Sequence, residues 1–203
     1  MGFCTVEDVE NLLQIEIEAD DASCLRAIEE ATEAIKNYCH QEIEQVTDDE
    51  YTFDVPGFYH KKLFLPELPV TDVKSVVEDG EALDEGDDED YQLGRDGVLH
   101  RIDDYWEKGV QIVTVTYTHG YTTLPDDVVA VCTRAAARVY QAGLRASEAE
   151  GVPGVASKSL GDFSVSYTSG GGGVGEGVMG VSGSRMLLLS EKDMLDRYRY
   201  VAQ

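Results

Sequence analysis

The chain has 203 residues, of which 42% are hydrophobic and 28% are charged. This length allows one domain with an appendage or two small domains, and the composition is typical of soluble globular proteins rather than disordered chains. Sixteen Lys and Arg oppose 40 Asp and Glu, which gives a formal net charge of −24 at pH 7. Because this charge repels nucleic-acid phosphates and anionic lipid headgroups, it argues against a conventional nucleic-acid-binding or membrane-surface protein.

The acidic excess is uneven along the chain. Asp and Glu outnumber Lys and Arg by 16 to 2 in residues 1–60 and by 15 to 6 in residues 61–120, but only by 9 to 8 in residues 121–203. A nearly neutral last segment on an acidic body is a candidate docking element. Acidity that only serves solubility is the alternative interpretation.

Neither export nor membrane insertion is expected. Acids occur by position 7 without a cationic start, and no stretch reaches the roughly 18 apolar residues of a membrane span. The four cysteines stand far apart with no C-x-x-C pair, which favours reduced, buried thiols over a zinc or redox site. They are Cys4, Cys24, Cys39 and Cys132.

Two helices are predicted at the start of the chain. Thr5 followed by Glu7 and Asp8 is typical of a capped helix start. Apolar residues then recur at helical spacing from Leu25 to Tyr38, while glutamates occupy the other face. This second helix is predicted to be the longer one.

From about Glu50 the apolar period changes to two, which predicts short strands. Turn signals at Asp79-Gly80, Asp96-Gly97 and Lys108-Gly109 indicate an antiparallel sheet. The run from Asp84 to Asp90 is predicted to be a loop in that sheet, because its six carboxylates repel one another. The predicted strands are Tyr51–Val55, Leu63–Leu65, Val73–Val77, Tyr91–Leu93, Val98–His100 and Val110–Tyr117.

Pro125 and the two acids after it predict the start of a third helix, since Pro favours the first helical position and acids favour the positive end of the helix dipole. Its apolar stripe of Val, Cys and Ala makes it the expected central core helix. The other face carries a basic stripe, Arg134, Arg138 and Arg145. This stripe is either solvated or meets acids on the second helix or on a neighbouring subunit.

Beyond Gly154 the composition changes again. Phe163 to Tyr167 alternates as one isolated strand. Residues 169–183 contain eight glycines, which makes this segment entropically costly to order without a partner. Ser190 begins a capping-box pattern for a last helix. A strand and a helix on such a tether cannot form a core alone, so we expect them to pack on another molecule.

The sequence contains no convincing catalytic or cofactor motif. Gly175 to Gly180 matches the dinucleotide fingerprint, but the strand before it and the helix after it are missing. The four histidines stand singly, and no G-x-S-x-G elbow occurs. With 40 acids, carboxylate pairs arise by chance, and the acidic run lacks EF-hand spacing. We therefore expect no enzyme activity, no cofactor and no metal.

Several short segments form a recognisable order along the chain. They are Val6–Val9, Leu63–Pro66, Pro69–Val76, Asp90-Tyr91 before Gly97, Val113–Tyr121 leading to Pro125, Ser159–Tyr167 and Leu195–Tyr200. In this order they resemble the head-tail connector or head-to-tail adaptor proteins of tailed bacteriophages, the HK97 and SPP1 connector group. The resemblance covers nearly the whole chain.

This resemblance implies a helical core with an inserted β region, although the acidity and the long glycine tract depart from the family. Together with the residue patterns above, it predicts an α+β fold: a small helical bundle core with an inserted antiparallel β region and an extended Gly-rich C-terminal arm that ends in a helix. The corresponding division is N-terminal helices (1–46), β region (47–122), core helix (123–150) and docking arm (151–203). It further implies a non-enzymatic virion protein that is assembled in the host cytoplasm. Such a protein forms a twelvefold ring on the portal at the head-tail junction, extends the DNA channel and docks the next stopper or tail protein.

The residues fit that role. A twelvefold ring would carry a formal charge of roughly −288, so acids that face its lumen would repel passing DNA instead of binding it. The isolated strand can complete a sheet on a neighbouring subunit or on the portal. The predicted docking residues are Leu160, Phe163, Val165, Tyr167 and Tyr198.

Two other functions are compatible with the sequence. A small acidic, β-containing module that binds protein or carbohydrate would show an exposed aromatic cluster, for which the sequence offers only Trp106 beside Tyr105. A hydrolase that uses a carboxylate pair would need a carboxyl group with a raised pKa in a cleft.

Overall fold

The computed structural model describes residues 2–149, 157–160, 163–166 and 186–200, with side chains in residues 2–145 and 186–200. The predicted α+β fold with antiparallel sheets and a C-terminal helix is confirmed. The helices are α1 (Val6–Leu13), α2 (Ala22–Cys39), α3 (Asp126–Ala149) and α4 (Leu189–Leu195), and a 3-10 turn follows at Asp196–Tyr198. The strands are β1 (Val46–Val55), β2 (Lys62–Phe64), β3 (Val70–Glu78), β4 (Glu81–Leu83), β5 (Tyr91–Leu93), β6 (Val98–Arg101), β7 (Gly109–His119), β8 (Ser157–Leu160) and β9 (Phe163–Ser166).

The chain forms two compact units, each of them discontinuous in sequence. The first unit comprises Met1–Ile35 and Asp127–Asp193, and the second comprises Lys36–Asp126 and Met194–Gln203. The division into four consecutive segments stays a prediction. Within the described ranges, no helix combines the length and apolarity needed to cross a membrane.

In the first unit, the residues before α1 are fixed against α2 and α3. Thr5 caps α1 through a reciprocal capping box with Asp8, as predicted. The amide of Phe3 donates to Thr32 Oγ1 of α2 at 3.0 Å. Cys132 of α3 lies 3.3 Å from the Cys4 sulfur and 3.6 Å from the same Thr32 oxygen. These contacts bring three parts of the chain together at one buried point.

All four cysteines are free and buried, as predicted. The hydrogen bond to Cys132, together with burial, raises the pKa of Cys4 far above the ordinary value of a thiol. Burial also raises the pKa of Cys24, and burial together with the charge of Asp196 raises the pKa of Cys39 to about 11. These three groups are therefore neutral thiols at physiological pH.

The second unit contains two packed sheets where the sequence predicted one. The first sheet has the strand order β1-β7-β3-β4, and the second has the order β2-β6-β5. Alternate residues of β7, including Val113, Val115 and Tyr117, are buried, which is the period-2 pattern of a half-buried strand. The core between the sheets consists of Val55, Leu63, Leu65, Val76, Tyr91, Leu99, Trp106, Val113, Val115 and Tyr117.

The acidic run from Asp84 to Asp90 is a loop, as predicted, but it connects the two sheets. It leaves β4 of the first sheet and enters β5 of the second. At its end, Asp90 shares Arg101 with the buried carboxylate of Glu78, at 3.4 and 3.3 Å. Turn signals locate the ends of strands but do not show which sheet a strand joins, so the sequence could not separate the two sheets.

Ellman's reagent should leave the thiols of the folded protein unmodified at pH 7 and should detect four thiols per chain after unfolding. The reactive species is an accessible thiolate. A raised pKa keeps Cys4, Cys24 and Cys39 protonated. Burial shields all four sulfurs from the reagent, including that of Cys132, whose pKa is lowered by the hydrogen bond with Cys4. Rapid labelling of the native protein would contradict the buried positions described here.

Gly120→Ala should destabilise the second unit more than Gly80→Ala, by at least about 1 kcal/mol. Both glycines have φ of +84°, so both substitutions carry the same backbone penalty. A Cβ at Gly120 would collide with the carbonyl oxygen of Glu44, whereas a Cβ at Gly80 would meet no atom within 4 Å. Urea denaturation of the two variants measures the difference, and equal losses would contradict the close backbone approach at Gly120.

Candidate docking interface

The predicted docking strand is one half of a hairpin. Phe163–Ser166 pairs antiparallel with Ser157–Leu160, with Leu160 opposite Phe163 and Lys158 opposite Val165. The prediction of an isolated strand was therefore wrong. The partner strand, Ser-Lys-Ser-Leu, has a single large apolar residue and no clear alternation, so periodicity could not reveal it.

The docking residues predicted in this region fall at defined backbone positions. Leu160 and Phe163 end and begin the two strands, and Val165 lies two residues further on. Tyr167, like the Gly-rich tract of residues 169–183, lies outside the described residues. The docking role of these residues stays a prediction.

The last helix packs on its own chain. Leu187, Leu195 and Tyr198 are all buried, with Tyr198 only 7% exposed. The expectation that this helix packs on another molecule is therefore wrong for residues 186–200. Three large apolar side chains in a short segment suffice to hold it once a complementary surface exists in the same chain.

A buried ion pair fixes the start of this segment in the first unit. Glu191 is 3% exposed, and both of its carboxylate oxygens accept hydrogen bonds from Arg138 of α3, at 2.8 and 2.7 Å. Arg138 also donates to the carbonyl oxygen of Met186 at 2.9 Å. The amide of Leu188 donates to Glu191 at 2.9 Å. One arginine thus holds both a side chain and a backbone group of the segment.

The predicted basic stripe is divided between two environments. Arg138 and, at 3.9 Å, Arg134 lie beside Glu191, an intramolecular partner that the sequence did not predict. Arg145 is exposed. A contact between this stripe and a neighbouring subunit stays a prediction.

In the second unit, the end of the segment is bound to residues at the end of α2. The hydroxyl of Tyr38 donates to Asp196 at 2.6 Å, and the amide of Tyr200 donates to the carbonyl oxygen of Cys39 at 2.8 Å. The side-chain amide of buried Gln41 donates to the carbonyl oxygen of Tyr198. The segment from residue 186 to 200 is therefore held at both of its ends.

The ring of Tyr198 makes an edge-to-face contact with Tyr121, with the ring centroids 5.8 Å apart. Because this side chain is already buried in its own chain, it has little surface left for a partner. In the structure, Tyr198 helps to hold the end of the terminal segment to the second unit. Its predicted role in docking stays a prediction.

Two carboxyl groups have the raised pKa that a hydrolase would require. Burial raises the pKa of both Glu67 and Glu78. Glu67 accepts the amide of Glu42 at 2.9 Å, and Glu78 accepts the amide of Glu107 at 2.8 Å. Each carboxyl group therefore has a structural role, as a cap on a backbone amide of the second unit.

A groove of about 290 Å³ lies in the first unit and contains neither of these carboxyl groups. It is lined by Ser23, Arg26, Ala27, Glu30, Val139, Tyr140, Gly143 and Leu144. In the described part of the chain, no group of three or more His, Cys, Asp or Glu is placed to hold a metal ion.

Arg138→Gln should lower the free energy of unfolding by about 3 kcal/mol, because it leaves the buried Glu191 carboxylate without its main partner. Arg145→Gln, on the exposed part of the same helix, is the matched control and should change this free energy by less than about 0.5 kcal/mol. Urea denaturation monitored by circular dichroism measures both values. Equal, small losses would show that the ion pair does not hold the terminal segment.

Chains in solved structures of gene transfer agent particles resemble this chain. One, in the neck of an empty particle computed with C6 symmetry, is 14% identical with a TM-score of 0.51, over 98% of this chain and 90% of that chain. A chain in the neck of the native particle, computed with C12 symmetry, is 13% identical with a TM-score of 0.46, over 98% and 89%. The first of these shows a shared fold. No curated protein matches the sequence.

The model of one protein family covers most of the chain. The model for head completion proteins matches residues 2–134, which is about two-thirds of the sequence. This match confirms the predicted kinship with the head-tail connectors of phages and supports a structural role in the virion. The chain belongs to the head completion protein family.

Proposed function

We propose that this protein is a head-to-tail adaptor that forms a ring on the portal vertex. The ring extends the DNA channel and provides the surface on which the next stopper or tail protein docks. The observation that carries this proposal is the family match over residues 2–134. Residence in the neck of the virion, after assembly in the host cytoplasm, belongs to the same proposal.

A ring of twelve subunits agrees with the shared fold. The related neck structure was computed with C6 symmetry, and a twelvefold ring contains that sixfold symmetry. Ring closure requires a head-to-tail contact, in which two different surfaces of the same subunit meet. The exposed Arg145 is a candidate for one side of such a contact, where it would meet an acid of the neighbouring subunit.

The acidity of the chain suits a channel through which DNA slides. Exposed carboxylates are frequent outside the loop from Asp84 to Asp90, for example Glu16, Glu18, Asp20, Glu29 and Glu33. Exposed carboxylates near the channel raise the local negative potential and prevent the counterion release that drives DNA binding. The lumen is therefore a surface that DNA passes without specific binding.

The β8-β9 hairpin is the proposed docking element for the portal or a neighbouring subunit. An isolated two-stranded hairpin is only marginally stable in water, so a partner strand added to its edge stabilises both molecules. The chain is held on both sides of the hairpin, by α3 and by the segment from residue 186 to 200. Leu160, Phe163, Val165 and Tyr167 are the proposed contact residues, with Tyr198 anchoring the chain behind them.

Replacing Leu160, Phe163 and Val165 together by Ser should abolish the joining of this protein to portal-bearing heads and leave its fold intact. The substitutions remove the large apolar side chains of the hairpin, while the buried residues that the structure describes in both units are unchanged. Purified variants are incubated with heads that lack the protein, and negative-stain imaging scores the necks formed. Ser159→Ala together with Ser164→Ala is the matched control, on the same strands, and should join normally. Normal joining by the triple variant would defeat the docking role of the hairpin.

A further inference from the structure

An exposed patch of aromatic and basic side chains lies on the second unit, and neither the family match nor the proposed docking hairpin accounts for it. Phe58 and Tyr59 are 72% and 78% exposed. Tyr105, Lys61 and Lys108 complete the set and are also exposed. These five residues are called the aromatic–lysine patch. Large apolar groups gathered at one exposed place mark an interaction site more often than a bare surface.

The patch is held in a defined shape. Tyr59 and Tyr105 meet edge to face with their ring centroids 5.2 Å apart. The amide of Trp106 donates to the carbonyl oxygen of His60 at 2.8 Å, and the Trp106 side chain is buried in the core. A backbone hydrogen bond and a buried ring therefore join the two segments of the patch. Such preorganisation lowers the entropy cost of binding a partner.

The lysines of the patch are available to a partner. The Lys61 ammonium lies 5.1 Å from the centre of the Tyr105 ring, and the Lys108 ammonium lies 5.0 Å from the centre of the Phe58 ring. In the part of the chain that the structure describes, neither ammonium forms an ion pair with a carboxylate. A surface of this composition binds a partner that presents carboxylates beside apolar contact area.

The same chain carries a complementary surface, the loop from Asp84 to Asp90. The register of the second sheet relates the two surfaces. Lys62 at the start of β2 pairs with His100, and Tyr91 at the start of β5 pairs with Arg101. The patch, which precedes β2, and the loop, which precedes β5, therefore lie at the same end of this sheet and beside its two opposite edges.

We propose that the aromatic–lysine patch of one copy binds the acidic loop of the next copy, and that this contact closes the ring. The inference rests on the proposed ring-forming function and identifies its contact surfaces. Because patch and loop lie at opposite edges of one sheet, each copy offers a patch to one neighbour and a loop to the other. The contact also supplies positive charge where chains of net charge −24 must approach one another.

Charge reversal on either side tests the contact. Lys61→Glu with Lys108→Glu, and separately Asp87→Lys with Asp88→Lys, should each reduce ring assembly on portal-bearing heads at least about tenfold, because like charges then face each other. All four positions are exposed, so both variants should keep the circular dichroism spectrum and the urea midpoint of the wild type. Arg95→Glu is the control for a general effect of charge, because this exposed residue lies in the turn between β5 and β6, at the other end of the same sheet.

An equimolar mixture of the two variants provides the decisive measurement. In an alternating ring, each reversed patch meets a reversed loop and each original patch meets an original loop, so the mixture should restore assembly that neither variant shows alone. A single chain that carries all four substitutions should also assemble, because its reversed patch meets the reversed loop of the next copy. Normal assembly by either variant alone, or failure of both the mixture and the combined chain, would overturn the contact.

The same samples separate this inference from the proposed function. If the wild-type chain forms no ring on the heads, the adaptor function fails and the contact that rests on it fails too. If wild-type rings form and the reversed variants also form them, the function stands and the contact is wrong. Binding of a glycan to the patch, with normal rings from the charge variants, would assign the patch to carbohydrate instead.

Discussion

The ion pair between Glu191 and Arg138 determines where the segment from residue 186 to 200 begins. A buried charge is tolerated only with a close and well-oriented partner, so the start of α4 can dock only where Arg138 receives Glu191. Within the second unit, the end of the same segment buries Leu195 and Tyr198, and this apolar surface stabilises its position. The segment is therefore fixed by a charge at its start and by apolar burial at its end.

The parts of the fold that depend on local patterns could be predicted from the sequence. The alternation of Val113, Val115 and Tyr117 indicated β7, and Thr5 with the acids after it indicated α1. The ion pair between Glu191 and Arg138 could not be predicted. The capping-box pattern that begins at Ser190 places its acid at Asp193, whereas α4 begins at Leu189 and the acid that accepts the amide of Leu188 is Glu191. Its partner Arg138 stands 53 positions earlier. Pairing between distant charges leaves no periodic signal in a single sequence.

The sequence did not predict the aromatic–lysine patch for the same reason, because contacts between distant residues leave no periodic signal. In the sequence, Trp106 beside Tyr105 is the one candidate for an exposed aromatic cluster. In the structure Trp106 is buried, whereas Tyr105 is exposed together with Phe58 and Tyr59. Residues 58 and 59 are far from residue 105 in sequence, and they become neighbours only through the contact between His60 and Trp106. Strand pairing brings together residues that are 46 positions apart, so the cluster cannot be recognised until the pairing of these strands is known.

Positively charged residues serve one purpose inside the chain and another on its surface. Arg138 and Arg101 neutralise buried carboxylates inside the chain, whereas Lys61 and Lys108 lie on the surface. The family match ends at residue 134, before Arg138, so it contains the patch and the acidic loop but excludes the hairpin and its anchor. Assembly surfaces that build a ring must fit identical copies, while a docking element must fit one particular portal or tail. In the proposed scheme, the match therefore covers the patch and the loop that would recognise another copy of the chain, and it leaves out the hairpin that would dock the portal or a neighbouring subunit.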